Sequence, residues 1–159
     1  MKKRKQHKPK PVNPISGLHA ILKRFDNDEM KKPLRSDKTM DLSLAYRLAL
    51  QTMMTGDSRE EDWSVCVTSL NVGLVLCEMG IGREYEALFN EALLGAFKSK
   101  LRAQRTGSWR FDGDALNAIK HAFTVHEEQI KFATQEEVIL ALQTVRNRID
   151  EGLVYEEGA

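Results

Sequence analysis

From Trp63 to Cys77 the chain runs for fifteen residues without a charged side chain, and its apolar residues do not keep to one side. Trp63, Val65, Cys66, Val67, Leu70, Val72, Leu74, Val75, Leu76 and Met79 surround most faces of a helix drawn through them. Such a helix is stable only when other elements wrap it, so this segment predicts a central, buried element in a multi-helix domain. It falls short of the ~20 apolar residues a bilayer requires, and Ser64, Thr68, Ser69 and Asn71 interrupt it. Ser58 with Glu61 reads as a capping box that starts the helix, and Gly80 with Gly82 brackets the turn that ends it.

The rest of the chain supplies the wrapping. Ser16 is a candidate N-cap for a short helix in which Leu18, Ile21, Leu22 and Phe25 stand at i, i+3, i+4 and i+7. Asp26 to Asp37 reads as a polar linker holding Pro33, followed by a helix from about Lys38 to Thr55 with Gly56 as a left-handed cap. A helix from near Arg83 to Thr106 carries Leu88, Phe89, Ala92, Leu93, Ala96 and Phe97 at helical spacing. Ser108 to Phe111 is a loop, and Asp112 caps the next helix, whose apolar face is Leu116, Ile119, Phe123 and Ile130. Thr134 with Glu137 opens the last one, which carries Val138, Leu142, Val145 and Ile149 and stops at Gly152. No alternating strand pattern breaks the series. The expected fold is all-α: an antiparallel or orthogonal bundle of five to six helices over 15–152, with a disordered basic tail at 1–14 and a short tail at 153–159. Its core should centre on Trp63, Val67, Leu70, Leu74, Leu88, Phe89, Phe123 and Leu142.

Charge is unevenly spread. The first forty residues hold twelve Lys and Arg against four Asp and Glu, a net of +8, while the remaining residues net −7, leaving +1 overall. A basic segment on a mildly acidic body points to an anionic partner. Prolines 9, 11 and 14 follow the first cations where a signal peptide would place its apolar stretch, so a cytoplasmic protein is expected. Cys66 and Cys77, eleven residues apart on one helix, are separated by ~16 Å and cannot pair. They read as small buried hydrophobes, since no basic residue beside them lowers a thiol pKa.

Several catalytic and metal patterns fail on spacing. His121 and His126 are five apart, about 140° around a helix, and the string from His126 to Ile130 lacks the second histidine of a zincin. Asp112-Gly113-Asp114 has no downstream calcium ligands, and Gly80-Ile81-Gly82 follows a helix and has no Gly-Lys-Ser/Thr. No cofactor, no metal and no enzymatic activity are expected.

Two cationic features remain. The first is Lys2, Lys3, Arg4, Lys5, Lys8 and Lys10, a run without an acid that would bind phosphates regardless of base sequence. The second is Lys98, Lys100, Arg102, Arg105 and Arg110, interleaved with Trp109 and Phe111, with no acid between Phe97 and Phe111. Arginines beside an aromatic on a loop suit the stacking and clamping of single strands, although cations at a helix C-terminus also complement its dipole and Trp109 also suits a core plug. Lys3-Arg4-Lys5 followed by Pro9-Lys10-Pro11-Val12, the turn Gly80-Ile81-Gly82-Arg83-Glu84-Tyr85, and His126 with Gln129 resemble a group of small phage- and prophage-encoded proteins of proteobacteria, over about residues 2 to 145. The resemblance implies genomic context alone, an accessory phage protein acting in the bacterial cytoplasm. Together these readings give a non-enzymatic binding module for nucleic acid, or alternatively an inhibitor or adaptor that binds a host protein or nucleoprotein complex.

Overall fold

The computed structural model describes residues 31–33 and 36–152, side chains excepted at 36–39. Residues 1–30, 34–35 and 153–159 lie outside it, and with them the expected tails, the helix from Ser16 and most of the linker. Among the described residues the fold is a bundle of five α-helices: α1 (Ser36–Met53), α2 (Glu60–Glu78), α3 (Glu86–Thr106), α4 (Gly113–Phe132) and α5 (Gln135–Asp150). A 3-10 turn at Arg83–Tyr85 leads into α3. The only strand-like contact among them is an isolated bridge between Pro33 and Thr134. No helix of the described residues is long and apolar enough to cross a membrane.

The uncharged segment is the central element, as its sequence requires. α2 touches all four other helices and buries Cys66, Thr68, Ser69, Leu70, Val72, Gly73, Val75, Leu76 and Cys77. Its C-terminus closes as a Schellman motif, the Ile81 N–H reaching the Leu76 carbonyl and the Gly80 N–H the Cys77 carbonyl, both at 2.9 Å. Gly80 and Gly82 supply the positive φ angles this turn needs, 97° and 76°. Leu70, Phe89, Phe123 and Leu142 are fully buried, as expected, whereas Trp63, Val67, Leu74 and Leu88 are half-buried and pack on the core from outside. Met53, Phe111, Ile119 and Ile130 complete the interior.

Three local expectations are corrected. Gly56 is not left-handed, because α1 ends at Met53 and unwinds through tight turns in which the Thr55 N–H and hydroxyl both donate to the Thr52 carbonyl. The start of α2 is shifted one residue: the Ser58 hydroxyl turns back to the Thr55 carbonyl, and the Asp62 carboxylate accepts the Arg59 N–H at 3.0 Å. Asp112 occupies the N-cap position of α4, but its carboxylate makes no cap and pairs instead with Arg102. By contrast the capping box of α5 is complete, with Glu137 N–H to Thr134 Oγ1 at 3.2 Å and Thr134 N–H to Glu137 Oε1 at 3.0 Å.

Candidate nucleic-acid interface

Six of the twelve expected binding residues, Lys2, Lys3, Arg4, Lys5, Lys8 and Lys10, lie outside the described residues. The other six occupy the last two turns of α3 and the loop after it, and the fold separates them into three environments. Lys98, Arg102 and Arg105 stand at i, i+4 and i+7 and line a surface groove of about 620 Å³ between α3 and α4. Glu91, Asp112 and Asp114 line the same groove, so its charges balance and it does not act as an anion funnel. Arg102 is committed internally: Nη1 donates to Asp112 Oδ1 at 2.9 Å and Nη2 to the Arg110 carbonyl, which pins the loop to the helix.

Lys100 faces another way, its Nζ 5.3 Å from the centre of the Trp63 ring. Trp109 also turns to Trp63, ring centres 5.8 Å apart and planes at 55°. The Trp63 indole N–H in turn donates to the Ala96 carbonyl at 2.9 Å. Trp109 is therefore half-buried and fills the bundle's edge instead of offering a face to a base. Phe111 is wholly buried, and its N–H donates to the Met53 carbonyl at 2.8 Å. The single-strand clamp that the interleaved aromatics offered as one reading is not assembled, and Trp109 packs as the core plug of the other. Lys98, Arg105 and Arg110 are left exposed at this end of the bundle.

A second concentration of polar groups, buried between α2 and α4, centres on Gln129. Its Nε2 donates to the Gly73 carbonyl at 3.0 Å and the Ile81 carbonyl at 2.8 Å, and lies 3.2 Å from Cys77 Sγ. Two carbonyls on the nitrogen side fix the amide orientation, leaving Oε1 to accept from His126 Nδ1 at 3.1 Å. The Cys77 thiol donates to the Gly82 carbonyl at 3.0 Å. A cavity of about 20 Å³ beside His126, lined by Tyr46, Ser69 and Val72 among others, has room for a single water and not for a substrate.

These groups are poor acids, bases and nucleophiles at neutral pH. Burial pushes the Cys66 thiol far up, with the Asp62 charge adding to it. Burial takes the Cys77 thiol up to about 11, opposed by the Gln129 contact. Burial likewise lowers His126 to about 4, against the opposing effect of its bond to Gln129 and of the Glu127 charge. His121 is exposed, and no group of three or more His, Cys, Asp or Glu among the described residues can hold a metal ion.

Depression of His126 makes stability pH-dependent. The folded imidazole takes up its proton only near pH 4, the unfolded one near 6.5, so between these values the unfolded chain binds more protons. His126 therefore contributes fully above about pH 6.5, and stability falls as acid is added toward pH 4, by on the order of 3 kcal/mol in all. Urea unfolding of the parent and of His126→Asn at pH 7 and 4.5 isolates this component, because the other groups are common to the two proteins. The parent should lose more stability than the variant. Equal losses would mean that His126 is already charged in the fold.

No family model matches the chain, and neither a curated protein nor a solved structure matches it.

Proposed function

We propose that the protein is a non-enzymatic binding module that holds nucleic acid through sequence-independent contacts to phosphates. Its principal cations are Lys2, Lys3, Arg4, Lys5, Lys8 and Lys10, with Lys98, Arg105 and Arg110 extending the contact on the body. The observation that carries this reading is the segregation of charge, +8 over the first forty residues against −7 over the rest. Clustered cations release counterions from a polyanion whatever its base sequence, which an even distribution of the same charges would do less well. The histidine and thiols buried in the bundle have packing and hydrogen-bonding roles, which supports binding over catalysis. A phage or prophage setting in the bacterial cytoplasm rests on the sequence resemblance alone.

Binding to a duplex should weaken with salt along a log-log slope of about −5, the value for six neutralised phosphates at ~0.9 per contact. Deleting residues 2–10 should remove most of that slope. Because Trp109 packs on Trp63, Trp109→Ala should create no change in preference between single and double strands. Fluorescence anisotropy with labelled oligonucleotides from 50 to 300 mM salt reads all three. Absence of binding to DNA and RNA at ~50 mM salt overturns the proposal, since electrostatic contacts are strongest there, and leaves an inhibitor or adaptor of a host protein as the reading.

A further inference from the structure

The outward side of α1 carries an apolar stripe with nothing among the described residues to cover it. Met40, Leu44 and Leu48 are 69%, 55% and 53% exposed and stand at i, i+4 and i+8. The opposite side, Leu42, Tyr46, Ala49, Leu50 and Met53, fills the core. A lone exposed leucine needs no explanation, but three large apolar residues in line do. α1 runs antiparallel to α4, in a register set by the Pro33–Thr134 bridge and by Arg47 Nε, which donates to Glu127 at 2.7 Å. The stripe thus forms one uncovered apolar seam along the outward side of α1.

We propose that this seam is covered by the chain's own residues Ser16–Phe25, docked as an amphipathic helix antiparallel to α1. The pattern fits: Leu18, Ile21, Leu22 and Phe25 form one apolar face that the described bundle does not otherwise accommodate. The length fits as well, since ten helical residues span about 15 Å and Met40 to Leu48 about 12 Å. The tether selects this occupant over a second copy. Lys32 is held where its carbonyl accepts the Gln135 N–H at 3.1 Å, beside the start of α1, and the seven residues 26–32 reach at most ~23 Å. Phe25 is therefore tethered within reach of Met40, at an effective concentration on the order of millimolar that a separate molecule would have to exceed.

Docking in this sense also brings Ser16 to the far end of α1, where Phe111 bonds to Met53 and Arg110 is adjacent. The cations of residues 2–10 then leave the body beside Arg110 and Arg105, joining two basic regions that are far apart in sequence. That consequence bears on nucleic-acid binding; the docking itself does not depend on it.

Amide hydrogen exchange on the full chain tests the docking without any ligand. Residues 18–25 should exchange at least about tenfold more slowly than residues 2–10, independently of protein concentration. The double substitution Leu44→Glu, Leu48→Glu, at two exposed positions, should abolish that protection while circular dichroism reports the bundle intact. In a second variant, Leu22→Cys with Leu44→Cys should oxidise to a disulfide within one chain. Fast exchange at 18–25 in the parent overturns the proposal, as does protection that survives the double substitution. Protection that rises with concentration, or a disulfide between chains, assigns the seam to a second copy and overturns it equally.

Discussion

Gly73→Val should destabilise the protein by about 3 kcal/mol or more, although glycine within a helix is ordinarily a liability of about 1 kcal/mol that a side chain relieves. The sign is reversed here by Phe89, which lies across α2 where the glycine leaves a gap. A Cβ on Gly73 would stand 2.2 Å from Phe89 Cε1, 2.6 Å from Cζ and 2.9 Å from Cδ1. Phe89 is wholly buried among α2, α3 and α4 and has no space into which to swing. Nor can α2 retreat cheaply, because the Gly73 carbonyl is held by Gln129. Trimming the ring should recover part of the loss, so that Gly73→Val combined with Phe89→Ala is less destabilised than the two single losses added together. Urea midpoints for the four proteins measure that coupling. A loss under about 1 kcal/mol for Gly73→Val would show that the helices do not approach as closely as described.

The reason Gly73 gave no warning in the sequence is physical. A glycine inside an uncharged helix reads the same whether a ring lies on it or not, and Phe89 is sixteen residues away on another element. What was legible was local. The Thr134 and Glu137 box, the glycine stops at Gly80 and Gly152, and the all-round apolar character of α2 are set by neighbours within a turn or two, and each appears where expected. Where a local rule had a non-local competitor, the competitor won. Asp112 is spaced to cap α4 but its carboxylate is taken by Arg102, ten residues back.

The same division explains how much of the candidate interface was visible. The cations between Lys98 and Arg110 are plain in the sequence, but periodicity alone does not say which of them find partners. Lys100 lies over Trp63 and Arg102 is tied to Asp112, and together these contacts turn an apparent cluster into a few exposed charges at one end of the bundle. Phe111 seemed available for stacking because it lies in a loop between cations, yet its ring is part of the core. His126 and Gln129, three apart on one helix, could be recognised as neighbours. The acceptors of the Gln129 amide, the carbonyls of Gly73 and Ile81, could not, since they come from a helix and a turn some fifty residues earlier.

Gln129→Leu should be the more damaging change at that site, costing about 2 to 6 kcal/mol despite preserving size and removing a polar group from the interior. The amide satisfies three buried partners at once: it accepts from His126 Nδ1 and donates to the Gly73 and Ile81 carbonyls. Leucine leaves His126 Nδ1 and the Ile81 carbonyl without this partner and takes from the Gly73 carbonyl its second donor beyond the helix's own bond, and each orphaned group carries a desolvation penalty of about 1 to 3 kcal/mol. Backbone carbonyls cannot be mutated away, so most of the loss is irrecoverable; the histidine can be. Combining Gln129→Leu with His126→Leu should therefore lose less than the sum of the two single changes, because the second removes one of the groups the first left unpaired. The Ile81 carbonyl belongs to the turn that orients α3 against α2, so loosening should also be local. Amides from Gly80 to Tyr85 should exchange faster in Gln129→Leu at temperatures where the bundle as a whole remains folded. If those amides keep their protection and the two substitutions simply add, then Gln129 is held by its surroundings and does not hold them.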